Sequence, residues 1–179
     1  MLFKKYISVI FVGFLLFSCS NDLEKIKKVT MHNDDPDERT TELYLIQTDG
    51  GKAKIRLYAK VAESFSKGDK IIVFNKGVKV EFYTDQGKLS SILTAKYGKI
   101  NESKGTMEVL DSVRVFNPIK DQLMETEALF WDKKDSLITT DRLVSIKTPT
   151  ALIYGKGLKM KQDFSYYEFI KPQGKIKTK

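Results

Sequence analysis

The stretch from Leu89 to Lys147 repeats one pattern of short β-strands, and this repeat constrains the fold more than any other feature of the sequence. In each copy a strand reaches a small residue, Ala95 or Ala128, and an aromatic residue, a polar turn and two further strands follow. The two alanines are 33 residues apart. A repeat of this length that is built only of strands is typical of stacked β-structure, in which each unit buries its apolar face against its neighbours.

Two weaker copies flank this stretch, with Ala59 and Gly155 at the position of the repeated alanine. Because alanine and glycine are small, they leave room there for the backbone to bend or for a large neighbour to fold inward. We therefore expect a special backbone environment at all four small residues.

Strand-type alternation runs through the body of the chain. Between Ala53 and Glu63, aliphatic residues alternate with lysine, arginine and tyrosine, which is the pattern of a strand with one buried face. Asp111-Ser112 and Asp141-Arg142 are predicted as turns between strands. With no sustained helical stripe, the body is predicted to be all-β, about a dozen short strands in a sandwich or open barrel. Other predicted strands are Glu42–Thr48, Lys70–Phe74, Val78–Tyr83, Ala151–Met160 and Tyr166–Ile170.

The N-terminus has the form of a secretory signal. Lys4 and Lys5 precede an apolar run of about 11 residues, which is shorter than a membrane-spanning helix. The run ends in Leu16-Phe17-Ser18-Cys19, which resembles a bacterial lipobox and predicts a lipid anchor on Cys19. The predicted organisation is a signal peptide at 1–18, a lipidated and flexible tether at 19–41, the β domain at 42–170 and a basic tail at 171–179.

Charge and residue types exclude several classes of function. Lys+Arg 31 against Asp+Glu 23 give a net charge of +8, which suits an anionic partner. Nucleic-acid binding is not predicted, because the sequence has no arginine-rich cluster or nucleic-acid-binding motif. His32 and Cys19 both precede the β domain, which removes imidazole and thiol chemistry from it. We predict no enzyme activity, no cofactor and no metal site.

The aspartates of the body are predicted to serve the backbone, because they fall at strand ends and turns, where short polar side chains bond to main-chain groups. Gly155-Lys156-Gly157 is too short for a phosphate-binding loop. Trp131 is predicted to be a packing residue beside Asp132. The aspartates in question are Asp85, Asp111, Asp132, Asp135 and Asp141.

These residues form a pattern that resembles the LptC family, periplasmic components of the lipopolysaccharide-export ABC transporter related to OstA-like β-jelly-roll proteins. The likeness covers about residues 40–165, and its most specific part runs from Thr126 to Asp132 and on through Thr140-Asp141 to Val144. Members often carry a transmembrane anchor, whereas the lipobox here resembles lipoprotein-type members. Other matching segments are Leu93-Thr94-Ala95 with Tyr97, Val113-Arg114-Val115 and Gly155-Lys156-Gly157-Leu158.

The resemblance implies a V-shaped β jelly roll whose apolar groove holds the acyl chains of lipopolysaccharide. Such a protein accepts lipopolysaccharide from an inner-membrane ABC transporter and passes it to the next periplasmic jelly roll, an LptA-like protein. The anchor would face the periplasm from a membrane, the inner membrane by preference. By the same resemblance, Gly155 and Gly157 lie near the edge that meets the downstream partner. The alternative is a non-catalytic structural or adaptor lipoprotein of the cell envelope that binds a protein by edge-strand pairing.

The candidate groove residues are the apolar side chains that share the inward phase of the predicted strands. A groove and a packed core use the same alternation, so the sequence does not separate the two. The candidates are Ile55, Leu57, Ala59, Val78, Val80, Phe82, Leu93, Ala95, Met107, Val109, Val113, Val115, Met124, Ala128, Phe130, Val144, Ile146 and Ile153.

Overall fold

A computed structural model describes residues 35–135, 137–161 and 166–177. The predicted signal peptide, Cys19 and nearly all of the predicted tether lie outside the described residues. No helix in the described ranges is long and apolar enough to span a membrane. The strands are β1 (Glu38–Asp49), β2 (Lys52–Phe65), β3 (Ile71–Phe74), β4 (Val78–Tyr83), β5 (Leu89–Ala95), β6 (Tyr97–Asn101), β7 (Thr106–Asn117), β8 (Gln122–Asp132), β9 (Leu137–Lys147), β10 (Ala151–Lys161) and β11 (Tyr167–Lys177).

The strands pair antiparallel in the order β11-β10-β9-β8-β7-β5-β4-β2-β3-β6, and β1 pairs with the other side of β2. Because β6 also pairs with β7, the strands β2, β4, β5, β7, β6 and β3 form a closed ring. The predicted all-β fold is confirmed, and this arrangement is consistent with a β jelly roll.

The long strands belong to two layers. β2 pairs with β4 through residues 55–59 and with β3 through residues 63–65. β7 pairs with β5 through residues 114–116 and with β6 through residues 106–110. We name the part of the sheet that contains β4 and β5 layer A, and the part that contains β3 and β6 layer B. Strands β8 to β11 continue both layers alongside β7, and side chains of both layers share one hydrophobic core.

Irregular residues mark the line where strands cross from one layer to the other. The pairing of β7 with β8 shifts between Leu110 and Val113, and the two residues between them, Asp111 and Ser112, have φ angles of 62° and 54°. In β10 the same kind of shift occurs at Gly157, whose φ is 76°. Extra residues in left-handed conformations form bulges, and a bulge bends a strand without ending it.

The predicted turns at Asp111-Ser112 and Asp141-Arg142 are therefore wrong, because β7 and β9 run through both positions. Asp141 and Arg142 lie where the pairing of β9 with β8 is interrupted. Short polar residues indicate a break in the ladder of hydrogen bonds, and a bulge breaks that ladder as a turn does. The two polar pairs therefore mark irregular positions in the chain, but these positions are bends within strands and not turns between them.

The repeated small residues lie in crowded surroundings. Ala59 and Ala95 face Val78 from the two neighbouring strands and are 6% and 8% exposed. A Cβ atom added to Gly155 would lie 2.7 Å from Cδ1 of Phe169. The expected role of the small residue, to leave room for a larger neighbour, agrees with these contacts, and in the fourth copy even alanine is too large.

The β domain begins earlier than the predicted boundary, because polar residues of the predicted tether bind the body. β1 starts at Glu38. Asp37 accepts hydrogen bonds from the hydroxyl and the backbone nitrogen of Ser66 at 2.7 and 2.6 Å, and these bonds lower the pKa of its carboxyl group. Arg39 Nε donates to Glu63 Oε1 at 2.9 Å. A polar run that resembles a linker thus forms the start of a strand.

The domain also ends later than predicted, since residues 171–177 belong to β11 rather than to a basic tail. Pro172 and Gly174 argue against a strand in the sequence, but proline is tolerated in an outermost strand. β10 pairs with β9 on one side and β11 on the other, so Gly155 and Gly157 do not lie on an edge strand. The outermost described strand on this side is β11.

Candidate functional site

A cavity of ≈ 450 Å³ lies between layer A and layer B. Layer A contributes side chains from β1, β2, β4 and β5, and layer B contributes side chains from β6, β7, β8 and β9. All lining residues except Gln47 are apolar. They are Leu45, Ile46, Gln47, Ile55, Leu57, Val80, Phe82, Leu93, Ile100, Met107, Val109, Leu129, Phe130, Trp131 and Ile138.

The cavity has an apolar rim on the second half of β1. Leu45 and Ile46 line the cavity and are each 48% exposed, and Phe130 in the opposite layer is 38% exposed. Leu57 and Val109 also line the cavity but are buried. The site therefore has a rim that is exposed to solvent and a floor that is buried. This is the form of a pocket for an apolar or amphiphilic molecule.

Beside the C-terminal strands the two layers close against each other. Met124 and Ile146 of layer A meet Met160 and Tyr167 of layer B around a space of only ≈ 10 Å³. Met124, Ile146 and Met160 are all nearly inaccessible to solvent. The space between the layers is thus open near β1 and filled near β11.

The outer face of layer A carries a different kind of concavity. Its volume is ≈ 740 Å³, and Arg114, Asp121 and Lys147 line it together with apolar residues such as Phe116. Arg114, Phe116 and Lys147 have the opposite phase to the buried residues of their strands. Its mixed lining suits an apolar chain less well than the cavity between the layers does.

Charged and aromatic side chains pair with one another on this outer face. Arg56 lies over the Tyr83 ring, 4.9 Å from its centroid, and donates a hydrogen bond to the Tyr83 hydroxyl at 3.1 Å. That hydroxyl donates to Glu81 Oε2 at 2.7 Å. The hydrogen bond from Lys79 lowers the pKa of Glu81 most, and the hydrogen bond from Tyr83 lowers it further. The same bond to Glu81 raises the pKa of Tyr83. Charge is therefore concentrated on the exterior, while the cavity is nearly free of it.

The sequence matches a family model described as lipopolysaccharide-assembly, LptC-related, over residues 6–171. The chain belongs to the LptC family. A comparison with curated proteins finds no match. Membership of the LptC family connects the protein with lipopolysaccharide transport at the cell envelope, in a family of inner-membrane-associated periplasmic proteins that act in transport rather than as known enzymes. The family resemblance found in the sequence is confirmed.

In this LptC-family chain the candidate groove residues divide into two sets. The set that lines the cavity is Ile55, Leu57, Val80, Phe82, Leu93, Met107, Val109 and Phe130. The other set does not line it, and its members are buried except for the partly exposed Ile153. This second set is Ala59, Val78, Ala95, Val113, Val115, Met124, Ala128, Val144, Ile146 and Ile153.

Sequence reasoning missed nearly half of the lining residues. For Leu129 and Trp131 the cause is the interrupted pairing of β8 with β9 between Thr126 and Phe130, which turns both residues inward and leaves Phe130 at the rim. Alternation read without a bulge puts Phe130 in phase with Ala128 instead. The missed residues are Leu45, Ile46, Gln47, Ile100, Leu129, Trp131 and Ile138.

Asp132, Asp85 and Trp131 make contacts that stabilise the fold. Asp132 Oδ1 accepts a hydrogen bond from the backbone nitrogen of Lys134 at 2.8 Å, the predicted backbone role, and Asp85 pairs with Lys54. Trp131 packs against the hydrophobic core as predicted. Within the described ranges, no three His, Cys, Asp or Glu side chains are grouped so that they could hold a metal ion.

Proposed function

We propose that this LptC-family protein carries lipopolysaccharide with its acyl chains in the cavity between the two layers. The protein would accept the lipid from an inner-membrane ABC transporter and pass it to the next periplasmic jelly-roll protein. The observation that supports this proposal is an apolar cavity of ≈ 450 Å³ whose rim consists of exposed apolar residues. Each methylene group that moves from water into such a site contributes about 0.8 kcal/mol.

The charged part of the lipid would remain outside. Inside the cavity a phosphate or sugar would lose its hydration without gaining polar partners, because Gln47 is the one polar residue of the lining and lies at the exposed rim. The full sequence carries a net charge of +8, and about +6 remains without Lys4 and Lys5 of the predicted signal peptide, an excess that favours an anionic headgroup near the surface. An amphiphile with an anionic head and apolar chains fits both features.

The proposed attachment is a lipid on Cys19, followed by a short tether to β1. Cys19 and the strand that starts at Glu38 are separated by a polar segment. This segment would hold the β domain close to the membrane on the periplasmic side, the inner membrane by preference, where a transporter delivers its substrate. Acylation of Cys19, the single cysteine of the sequence, would also leave the anchored chain without a free thiol.

The proposed handover uses the two outermost strands. β1 and β11 each have a neighbour on one side in the described part of the chain, which leaves a row of backbone groups for pairing with another strand. The second half of β1 also exposes Tyr44, Leu45 and Ile46 in succession. We propose that the downstream partner pairs with β11 instead of the internal strand that contains Gly155 and Gly157.

The single tryptophan of the sequence, Trp131, gives a direct test because it lines the cavity. In the full chain anchored in phosphatidylcholine vesicles, a bromine-labelled fatty acid is expected to quench Trp131 emission by more than half. Leu45→Glu should weaken this binding at least about ten-fold, because a carboxylate at the rim would be desolvated by the acyl chain. Leu45 is 48% exposed, so the variant is expected to remain folded.

The matched control is Leu143→Glu, which makes the same exchange at an outer position that is 62% exposed and does not line the cavity. Quenching in this variant should equal that of the native protein. Binding without quenching of Trp131, or equal loss in both variants, would contradict an acyl chain in the cavity.

A further inference from the structure

Apolar side chains form a continuous row on the inner side of each layer. The members of a row are direct partners on neighbouring strands, so each row runs across the sheet and not along one strand. From β5 to β10 the row of layer A consists of Leu93, Val115, Met124, Ile146 and Ile153. From β7 to β11 the row of layer B consists of Met107, Trp131, Ile138, Met160 and Tyr167.

The cavity and the closed space beside the C-terminal strands lie on these same two rows. The first residue of the row in layer A and the first three of the row in layer B line the cavity. Four of the residues that follow surround the space of only ≈ 10 Å³, and we name them the plug: Met124, Ile146, Met160 and Tyr167. The closed space is therefore the continuation of the cavity toward β11, and the plug fills it.

The cavity alone is small for the proposed ligand. Its volume of ≈ 450 Å³ lies in the lower half of the range of about 300–1,000 Å³ that is typical of pockets for single small molecules. Lipopolysaccharide carries several acyl chains on one headgroup. Transfer to a partner at β11 also requires these chains to reach the side of the domain that the plug fills. The proposed function therefore requires more space between the layers, and the two rows continue into the plug.

The plug contains side chains that can change shape. Methionine is unbranched and has three rotatable bonds, so it can move aside and still make apolar contacts. Met124 and Met160 are both buried and meet across the layers. Tyr167 is partly buried and belongs to β11, the outermost described strand on this side. Its ring packs edge-on against Phe169, with 6.3 Å between the ring centroids. A partner strand that pairs with β11 would therefore contact a strand that contributes to the plug.

We infer that Met124, Met160 and Tyr167 are the movable part of the plug, and that their displacement extends the cavity to β11 so that acyl chains reach the downstream side of the domain. This inference rests on the proposed function and adds a conformational step to it. The step needs rotations of side chains, while the hydrogen bonds between β8, β9, β10 and β11 are retained. Ile146 is branched at Cβ and restricted at χ1, so it remains a fixed part of the wall.

Photocrosslinking of the full, anchored chain in living cells tests this inference. A photoreactive residue at Phe82 reports on the cavity, and one at Ile153, the partner of Ile146 on β10, reports on the space beyond it. In the otherwise native chain, lipopolysaccharide adducts are expected at both positions. In the double variant Met124→Ile, Met160→Ile, adducts at Ile153 should fall at least about five-fold, because isoleucine is restricted at χ1. Adducts at Phe82 should remain, which also shows that this variant is folded, as expected for exchanges of similar volume.

The matched control is Met107→Ile, which makes the same exchange in the row of layer B at a residue that lines the open cavity, so adducts at Ile153 should be retained. The single variant Met160→Ile changes the core less and should lower the adducts at Ile153 at least about two-fold. Adducts at Phe82 without adducts at Ile153 in the otherwise native chain, or adducts at Ile153 that persist in the double variant, would overturn the inference. Absence of adducts at Phe82 in the otherwise native chain would instead reject the proposed function, so the two failures can be distinguished.

Discussion

A glutamate in place of Val115 is expected to destabilise the β domain strongly. Val115 is 2% exposed, belongs to the hydrophobic core and does not itself line the cavity. Its partners across the strands, Leu93 and Met124, are apolar and offer a carboxylate no counter-ion or hydrogen bond. Burial of an unpaired charge should lower the free energy of unfolding by roughly 4 kcal/mol or more, a large part of the roughly 5–15 kcal/mol of a typical domain.

Urea denaturation followed by circular dichroism measures this loss. The matched control is Leu143→Glu, in the same layer but 62% exposed, which should change the free energy of unfolding by less than about 0.5 kcal/mol. Val115 was a groove candidate on its alternation alone. A folded Val115→Glu variant of near-native stability would show that this position borders an open groove after all.

Gly155→Ala is expected to detach β11 from the sheet. The new Cβ atom would lie 2.7 Å from the carbonyl oxygen of Lys171, 2.7 Å from Cδ1 of Phe169 and 3.0 Å from Cα of Pro172. Two of these atoms belong to the backbone of β11, so the strand itself must move. Overpacking of this kind costs about 1–3 kcal/mol, and we expect the upper end because the neighbour cannot rotate away.

Gly174→Ala is the control for this prediction. Its Cβ would meet the hydroxyl of Tyr154 at 2.6 Å, but this is the end of an exposed side chain, which can turn aside. Amide hydrogen exchange should therefore show loss of protection along β11 in Gly155→Ala and near-native protection in Gly174→Ala. Equal protection in the two variants would mean that the fourth small residue of the repeat is not required by close packing.

The sequence predicted several individual strands and the crowded positions of the fold correctly. Alternation between Ala53 and Glu63 predicted a strand that the structure contains, and the boundaries predicted for Val78–Tyr83 are those of β4. The repeated small residues marked crowded positions near the bends. Each of these features depends on residues close together in the chain, which is why periodicity and composition reveal them.

What could not be predicted depends on contacts between distant residues. The bulge near Ala128 reverses the phase of the following residues, so Trp131 faces the cavity and Phe130 lies at its rim. Strand β1 begins at Glu38 because Asp37 reaches Ser66, a contact that local polarity conceals. Likewise, alternation is the same for Phe82, which lines the cavity, and Val115, which is packed.

Photocrosslinking in living cells tests the central claim most directly. A photoreactive residue is placed at Leu45, Phe82 or Phe130, all of which line the cavity, and at the outer positions Lys54 and Arg114 as controls. If acyl chains occupy the cavity, irradiation should give lipopolysaccharide adducts at the three lining positions and few at the controls. Adducts that are absent from the lining positions of a folded, anchored protein, or equally frequent at the controls, would contradict a carrier and favour a protein adaptor.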